Sequence, residues 1–186
     1  MKVLILGGTG AMGANLVPLL SDDGITTFVT SRKYRESKNN IHYIKGDAHD
    51  LAFIENILDE KWDVIVDFMA YSTSSFKNRI NLLLDSTNQY IFLSSSRVYA
   101  DAGEPLTEKS PRLLDLSEDK AYLDTDEYAL SKARQENVLI NSGRVNWTIV
   151  RPYITYSGER LQLGVLEKED WLYRALHGRT IVFSKD

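Results

Sequence analysis

The sequence predicts an α/β fold built as a doubly wound parallel sheet with helices on both faces. Three observations carry that expectation. Short apolar runs alternate with segments of helical periodicity from Lys2 to Val150, the pattern of β-α-β crossovers. Val64-Ile65-Val66 is apolar at consecutive positions, which suits a strand buried on both faces. The first apolar run passes directly into a loop with glycines at 7, 8, 10 and 13, and then into a helical segment.

In chain order, Lys2–Leu6 reads as a strand and Ala11–Leu20 as a helix. Pro18 lies inside that helix and should remove one backbone hydrogen bond. Ile25–Thr30 and Ile41–Lys45 are the second and third strands, and Leu51–Glu60 a helix. Asp63–Asp67 is the fourth strand, Phe76–Asp85 a helix and Tyr90–Ser94 the fifth strand. Glu127–Asn141 is a long helix that stops before Gly143, a capping residue. Trp147–Val150 is the sixth strand. Residues 101–126 carry eight acidic residues and two prolines. That is long for a connection, and reads either as a solvated excursion or as a lid. Ile181–Phe183 reads as the start of another strand.

Composition narrows the function classes. The chain has 186 residues, enough for one sizeable α/β core. The net charge is −4 and no basic stripe is present, so nucleic acid is not an expected partner. The absence of cysteine excludes disulfides and thiolate chemistry. No apolar run approaches the length of a membrane span, and the Met-Lys-Val start is not a signal peptide. No membrane partner and a cytoplasmic location are therefore expected. His42, His49 and His177 show no metal-ligand spacing, so no metal is expected.

The glycine loop is the first chemical feature. Without Cβ atoms the backbone can approach a pyrophosphate, and the N-terminus of the following helix faces it with free N–H groups. Gly7, Gly10 and Gly13 are spaced G-x-x-G-x-x-G. This segment resembles the extended branch of the short-chain dehydrogenase/reductase superfamily, which contains nucleotide-sugar epimerases and dehydratases. It departs from many members at Leu6, where they carry threonine. The resemblance implies a Rossmann-type fold in which Gly7, Thr9, Gly10, Ala11, Met12 and Gly13 cradle a dinucleotide cofactor.

Cofactor choice is read at the end of the second strand. Thr30-Ser31-Arg32-Lys33 has no acidic residue to receive the ribose hydroxyls of NAD. Ser31 and Arg32 instead suit the 2′-phosphate of NADP, since guanidinium forms charge-assisted forks with phosphate. NADP is expected ahead of NAD. The plainer alternative is a solvated basic loop. By the same resemblance, Asp47 of Gly46-Asp47-Ala48 accepts from the adenine amino group. Met69, Ala70 and Tyr71 wall the ribose and phosphates. Tyr153 and Ile154, after Arg151-Pro152, lie by the nicotinamide amide. All three segments follow strands, where open α/β sheets bind ligands.

Tyr128-Ala-Leu-Ser-Lys132 is the second chemical feature. Residues four apart share a helix face. An ammonium there favours the phenolate form of the tyrosine, and so general acid–base chemistry near neutral pH. Lys132 also counts as a cofactor ligand, through the nicotinamide ribose hydroxyls. Phe92-Leu-Ser-Ser-Ser-Arg-Val-Tyr99 resembles the extended family's Ser-Ser-x-x-Val-Tyr-Gly segment. That alignment makes Ser95 the catalytic hydroxyl, Ser94 the structural end of the strand, and Ser96 a substrate contact. Ser96 and Arg97 stand where sugar dehydratases carry an acidic pair, so dehydration chemistry is not expected. Ala100 replaces the family's glycine. Arg160 reads as a surface arginine or a substrate-phosphate ligand.

Taken with the resemblance, these residues imply an NAD(P)-dependent oxidoreductase or epimerase. Hydride would pass at a carbinol or ketone carbon of a small molecule, with a nucleotide-sugar as the family-level substrate. Residues 1–165 are expected to form the NAD(P)-binding domain. Residues 166–186 are expected to open a substrate-binding region, so that the chain reads as a fragment, with a homodimer as the assembly to test. Two other readings stay open. One is a non-catalytic NADP-binding sensor or scaffold, against which the intact Ser–Tyr–Lys set argues. The other is an RNA-associated relative of the same fold, against which the net acidity argues.

Overall fold

The computed structural model describes residues 1–155, 161–163 and 166–183. The chain divides into two compact units, Met1–Tyr153 and Ile154–Asp186.

The first unit is built on six strands: β1 (Lys2–Leu6), β2 (Thr26–Ser31), β3 (Ile41–Lys45), β4 (Trp62–Asp67), β5 (Thr87–Leu93) and β6 (Trp147–Val150). They form one sheet in the order β3-β2-β1-β4-β5-β6, and every neighbouring pair is parallel. The winding direction reverses between β1 and β4, and this switch point opens a crevice at the C-terminal strand ends. Helices α1 (Gly13–Asp22), α2 (Leu51–Ile57) and α3 (Thr73–Asp85) follow β1, β3 and β4. Two short helices, α4 (Leu113–Leu116) and α5 (Lys120–Leu123), precede the long α6 (Tyr128–Ile140).

The unbroken apolar strands are explained by cover on both faces. Val3 and Ile5 of β1 pack with Val17 of α1, while Leu4 and Leu6 pack with Ile54, Ile80, Leu83 and Leu139 from α2, α3 and α6. Successive strand side chains point to opposite faces, so neither face tolerates a polar residue at these positions.

Element boundaries shift for local reasons. α1 begins at Gly13 rather than Ala11, leaving residues 11 and 12 in the loop. It runs on through Pro18 to Asp22. A Cβ on Gly13 would lie 2.2 Å from the Gly8 carbonyl oxygen, which is why this turn needs glycine. α2 stops at Ile57, whose carbonyl accepts from the Trp62 indole N–H at 3.2 Å. α3 starts three residues before its apolar pattern because Ser72 caps it, accepting from the Ser75 N–H. α6 ends at Ile140, and Gly143 follows with a positive φ of 70°.

The acidic stretch is fastened to the sheet domain. Arg112, just ahead of α4, forks onto Asp115 at 2.8 and 2.9 Å. It also reaches Glu136, Asn137 and the Ala133 carbonyl on α6. Asp126 accepts from the N–H and hydroxyl of Thr73 at 2.9 and 2.5 Å. Residues 101–126 are thus neither a free excursion nor one irregular loop.

In the second unit, α7 (Lys168–Leu176) is capped by Asp170, which accepts from the Glu167 N–H at 3.1 Å. Ile181–Phe183 does not form the expected strand. The chain there folds back on the end of α7, with Arg179 N–H on the Arg174 carbonyl and the Arg174 guanidinium on the Thr180 carbonyl. An isolated apolar triplet becomes a strand only beside a pairing edge. Arg160 lies outside the described residues. No helix among the described residues is long and apolar enough to cross a membrane.

Candidate functional site

A cleft of about 280 Å³ opens at the switch point. Gly7, Thr9 and Gly10 line one side. Ser31, Arg32, Asp47, Ala48, Met69 and Ala70 also line the cleft. Most of the residues expected to hold a dinucleotide are therefore together. Gly7 has φ of 72°, and a Cβ there would lie 2.9 Å from the Met69 sulfur. The loop can pack on this wall only without side chains. Its N–H is held by the Thr30 hydroxyl at 3.1 Å.

Ala11, Met12 and Gly13 sit at the start of α1. Among the described residues no internal acceptor takes their N–H groups, no side chain caps the helix, and its first turn has no acidic residue. Free donors and the positive dipole end suit a pyrophosphate. The observed cradle thus fits a dinucleotide. Asp47 is oriented by its own loop, accepting from the His49 N–H at 2.9 Å. Buried Arg79 on α3 fixes that loop by donating to the Ala48 and His49 carbonyls.

Tyr71 is turned away from the cleft. Its ring is buried against the Arg79 guanidinium, 4.3 Å from the ring centre. Its hydroxyl reaches Asp67 at 3.4 Å. Burial first, then the Asp67 charge, pushes its phenol far above the ordinary value. Tyr153 is solvent-exposed, and Ile154 opens the second unit.

The catalytic candidates come from β5 and α6. Ser95 follows β5 and is buried, its Oγ accepting from the Arg97 N–H at 3.2 Å. Tyr128 is the first residue of α6 and is 42% exposed. The Arg97 guanidinium stands 5.5 Å from its ring centre and pairs with Glu127 at 3.0 Å. Lys132, one turn along, is only 4% exposed. Its Nζ donates to the Leu93 carbonyl at 2.8 Å and, at 3.5 Å, to that of Met69, the cleft wall. Burial lowers Lys132 to about 8, although Asp67 and Glu136 oppose the shift.

Ser94 is committed elsewhere, donating to Glu136 at 2.5 Å. Glu136 is fully buried and also receives two hydrogen bonds of 2.8 Å from Arg151 and one of 3.1 Å from Arg112. Burial raises its carboxyl, but these donors outweigh it and hold the group below the usual glutamate range.

Thr30, Gly46, His49 and Phe68 also line the cleft, and sequence reasoning assigned none of them a role. Their position after strands was the available signal. Glu136 had no such signal, because it lies inside α6 and its partners are distant in sequence. Among the described residues no group of His, Asp and Glu could hold a metal ion.

Comparison with known proteins accords with this geometry. A family model described as NAD(P)H-binding matches residues 7–181. The chloroplast stem-loop binding protein of 41 kDa b from Arabidopsis thaliana is 28% identical over 197 residues, covering 97% of this chain and 48% of that protein. The UDP-glucose 4-epimerase of Lactobacillus helveticus is 26% identical over 160 residues, covering 75% and 46%. The chain thus spans about half the length of the curated relatives it matches. The Bordetella bronchiseptica enzyme WbmH, solved with NAD+, superposes with a TM-score of 0.70 at 17% identity. That match covers 96% of this chain and 63% of the other. With a family match over nearly its whole length and the matching glycine-loop cleft, the chain belongs to the NAD(P)H-binding family and has the fold of the extended short-chain dehydrogenases.

Proposed function

We propose that this chain is the cofactor-binding part of an NADP-preferring oxidoreductase or epimerase acting on a nucleotide-sugar. The observation that carries the reading is the buried Lys132 ammonium, which hydrogen-bonds the cleft wall and lies one helical turn from an accessible tyrosine. A bound nicotinamide would supply or take a hydride. Tyr128 moves the substrate hydroxyl proton. Lys132 holds positive charge beside it and binds the ribose hydroxyls. Ser95 donates a hydrogen bond to the reacting oxygen and so stabilises developing charge. In this reading the first unit, Met1–Tyr153, would serve as the cofactor domain, and residues 166–186 would open the substrate-binding region.

The test is cofactor titration followed by a panel of nucleotide-sugars, with nicotinamide absorbance and sugar products both followed. Cofactor binding with turnover or epimerisation of one sugar supports the reading. No binding of either dinucleotide overturns it.

Ser31 and Arg32 at the adenosine end of the cleft lead to a separate expectation. NADP(H) should bind more tightly than NAD(H). Arg32→Ala should weaken NADP(H) by about tenfold or more, since a hydrogen bond to a charged group is worth about 1.5–3 kcal/mol. NAD(H) should hardly change. Equal affinities that ignore the substitution would remove the NADP preference.

One observation favours a second reading, in which the chain binds structured RNA. The stem-loop binding relative matches 97% of the chain, more than the epimerase does. Stem-loop RNA titrated at several salt concentrations separates the two. Affinity that falls steeply with salt, as phosphate binding requires, together with no sugar turnover, would favour this reading.

A further inference from the structure

The proposed mechanism leaves a second buried carboxylate, Asp67, without a role. Asp67 ends β4 and is fully buried. Its Oδ1 accepts from the Met69 N–H at 2.9 Å and the Tyr71 hydroxyl at 3.4 Å. Its Oδ2 accepts from the Tyr90 hydroxyl at 2.8 Å. These partners are all neutral. Among the described residues no lysine or arginine hydrogen-bonds it.

Lys132 is in the converse position. Its hydrogen-bond partners are two neutral carbonyls, and its Nζ stands 4.7 Å from the Phe92 ring centre. A buried charge with no opposite charge near it is costly. Here the two unlike charges meet on one residue, since Met69 gives its N–H to Asp67 and its carbonyl to Lys132.

The surrounding charges leave the pair to each other. Glu136, the other carboxylate acting on Lys132, is already shared by Arg151, Arg112 and Ser94. Around Asp67 stand Tyr90 of β5, Tyr71 of the loop after β4, and Lys132 of α6. Arg79 of α3 lies over the Tyr71 ring.

We propose that Asp67 is a positioning residue, the internal counter-charge of Lys132, and that through Met69 it ties that ammonium to the wall of the cofactor cleft. The proposal rests on the reading of Lys132 as part of the active site. It adds a residue that touches neither cofactor nor substrate. Burial holds the Asp67 carboxyl above the ordinary aspartate range, and the Met69 N–H, the Tyr90 hydroxyl and the Lys132 charge offset only part of that rise. Loss of its charge removes an attraction that helps Lys132 keep its proton. The lysine should then titrate at lower pH.

The test titrates Lys132 in the nucleotide-free protein by NMR of the lysine side-chain nitrogens, with the signal assigned by Lys132→Met. The wild-type midpoint is expected near 8. Asp67→Asn keeps the shape and an acceptor for the Met69 N–H. It should lower the midpoint by about 1 pH unit or more, the size of effect an opposite charge has at close range. Glu136→Gln should move it less. A midpoint unmoved in a folded Asp67→Asn protein overturns the proposal. If that variant does not fold, Asp67→Ser, which also removes the charge, is titrated in its place. It should lower the midpoint likewise, and an unmoved midpoint in the folded protein overturns the proposal.

Nucleotide binding and turnover are measured separately. A shifted midpoint without nucleotide binding refutes the proposed function and leaves the Asp67–Lys132 coupling standing. An active protein with an unshifted midpoint does the reverse. In an active protein, turnover that needs the ammonium falls as pH rises through the Lys132 midpoint, and Asp67→Asn should bring that fall to lower pH.

Discussion

Tyr128→Phe is expected to reduce kcat by about 100- to 10,000-fold, the usual contribution of general acid–base catalysis. Cofactor affinity should hardly change. The substitution removes only the hydroxyl, from a residue that stands at the open start of α6 and is 42% exposed, so the fold should be untouched. Lys132→Met should lower both kcat and cofactor affinity, because the ammonium has two proposed tasks. It also strips a donor from the Leu93 and Met69 carbonyls. Ser95→Ala should cost less than the tyrosine change. Ser94 cannot readily replace it, since its hydroxyl is held by Glu136 at 2.5 Å, which leaves Ser96 or water. Steady-state kinetics on the three variants, with dinucleotide binding measured alongside, decide the matter. Near-normal turnover in Tyr128→Phe would reduce the motif to a helix face and favour the non-catalytic reading.

The second large effect is on stability. Glu136→Leu should destabilise the first unit by roughly 3 to 5 kcal/mol, as when one partner of a buried ion pair is removed. Arg112 and Arg151 would keep their charge while largely buried, and Ser94 would lose its acceptor. That is a large part of the total stability of an ordinary domain. The pH dependence has a definite sign. The folded-state carboxyl titrates below its ordinary value of 4.5, so the native state holds the charged form more strongly than the unfolded chain does. The contribution is complete above about pH 4.5 and is lost as pH falls through the folded-state value. Denaturant unfolding of wild type and Glu136→Leu at pH 7 and in acid tests both points. The gap between the two proteins should narrow on acidification. A gap that is absent at pH 7, or constant with pH, would refute the network's role.

How much of this was legible in the sequence depends on the range of the interactions. The strands, the glycine loop and the long helix are local patterns. Alternation and periodicity in the chain reported them to within a few residues, as with β6 at Trp147–Val150. The residues at strand ends were legible for the same reason, since a parallel sheet gathers those ends at one edge. The misplaced helix starts were decided by single capping contacts, such as Ser72 on Ser75. The triplet Ile181–Phe183 shows the limit of local pattern, because β-pairing is a property of a neighbour and not of the segment.

By itself, then, the sequence determined the doubly wound sheet, its phosphate-facing loop and the Ser95, Tyr128 and Lys132 candidates. The sheet, the loop and the Tyr128–Lys132 spacing rest on steric and periodic rules that act within a few residues, and Ser95 on the resemblance of its segment to the extended short-chain family. Only the tertiary structure decided which polar groups are buried together. Asp67 meets Tyr90 and shares Met69 with Lys132, Glu136 meets Ser94, Arg112 and Arg151, and Tyr71 lies under Arg79 and is not among the residues lining the cleft. Burial makes an unpaired charge costly. Partners are therefore chosen by proximity in the folded core, between residues from 8 to 65 positions apart in the chain.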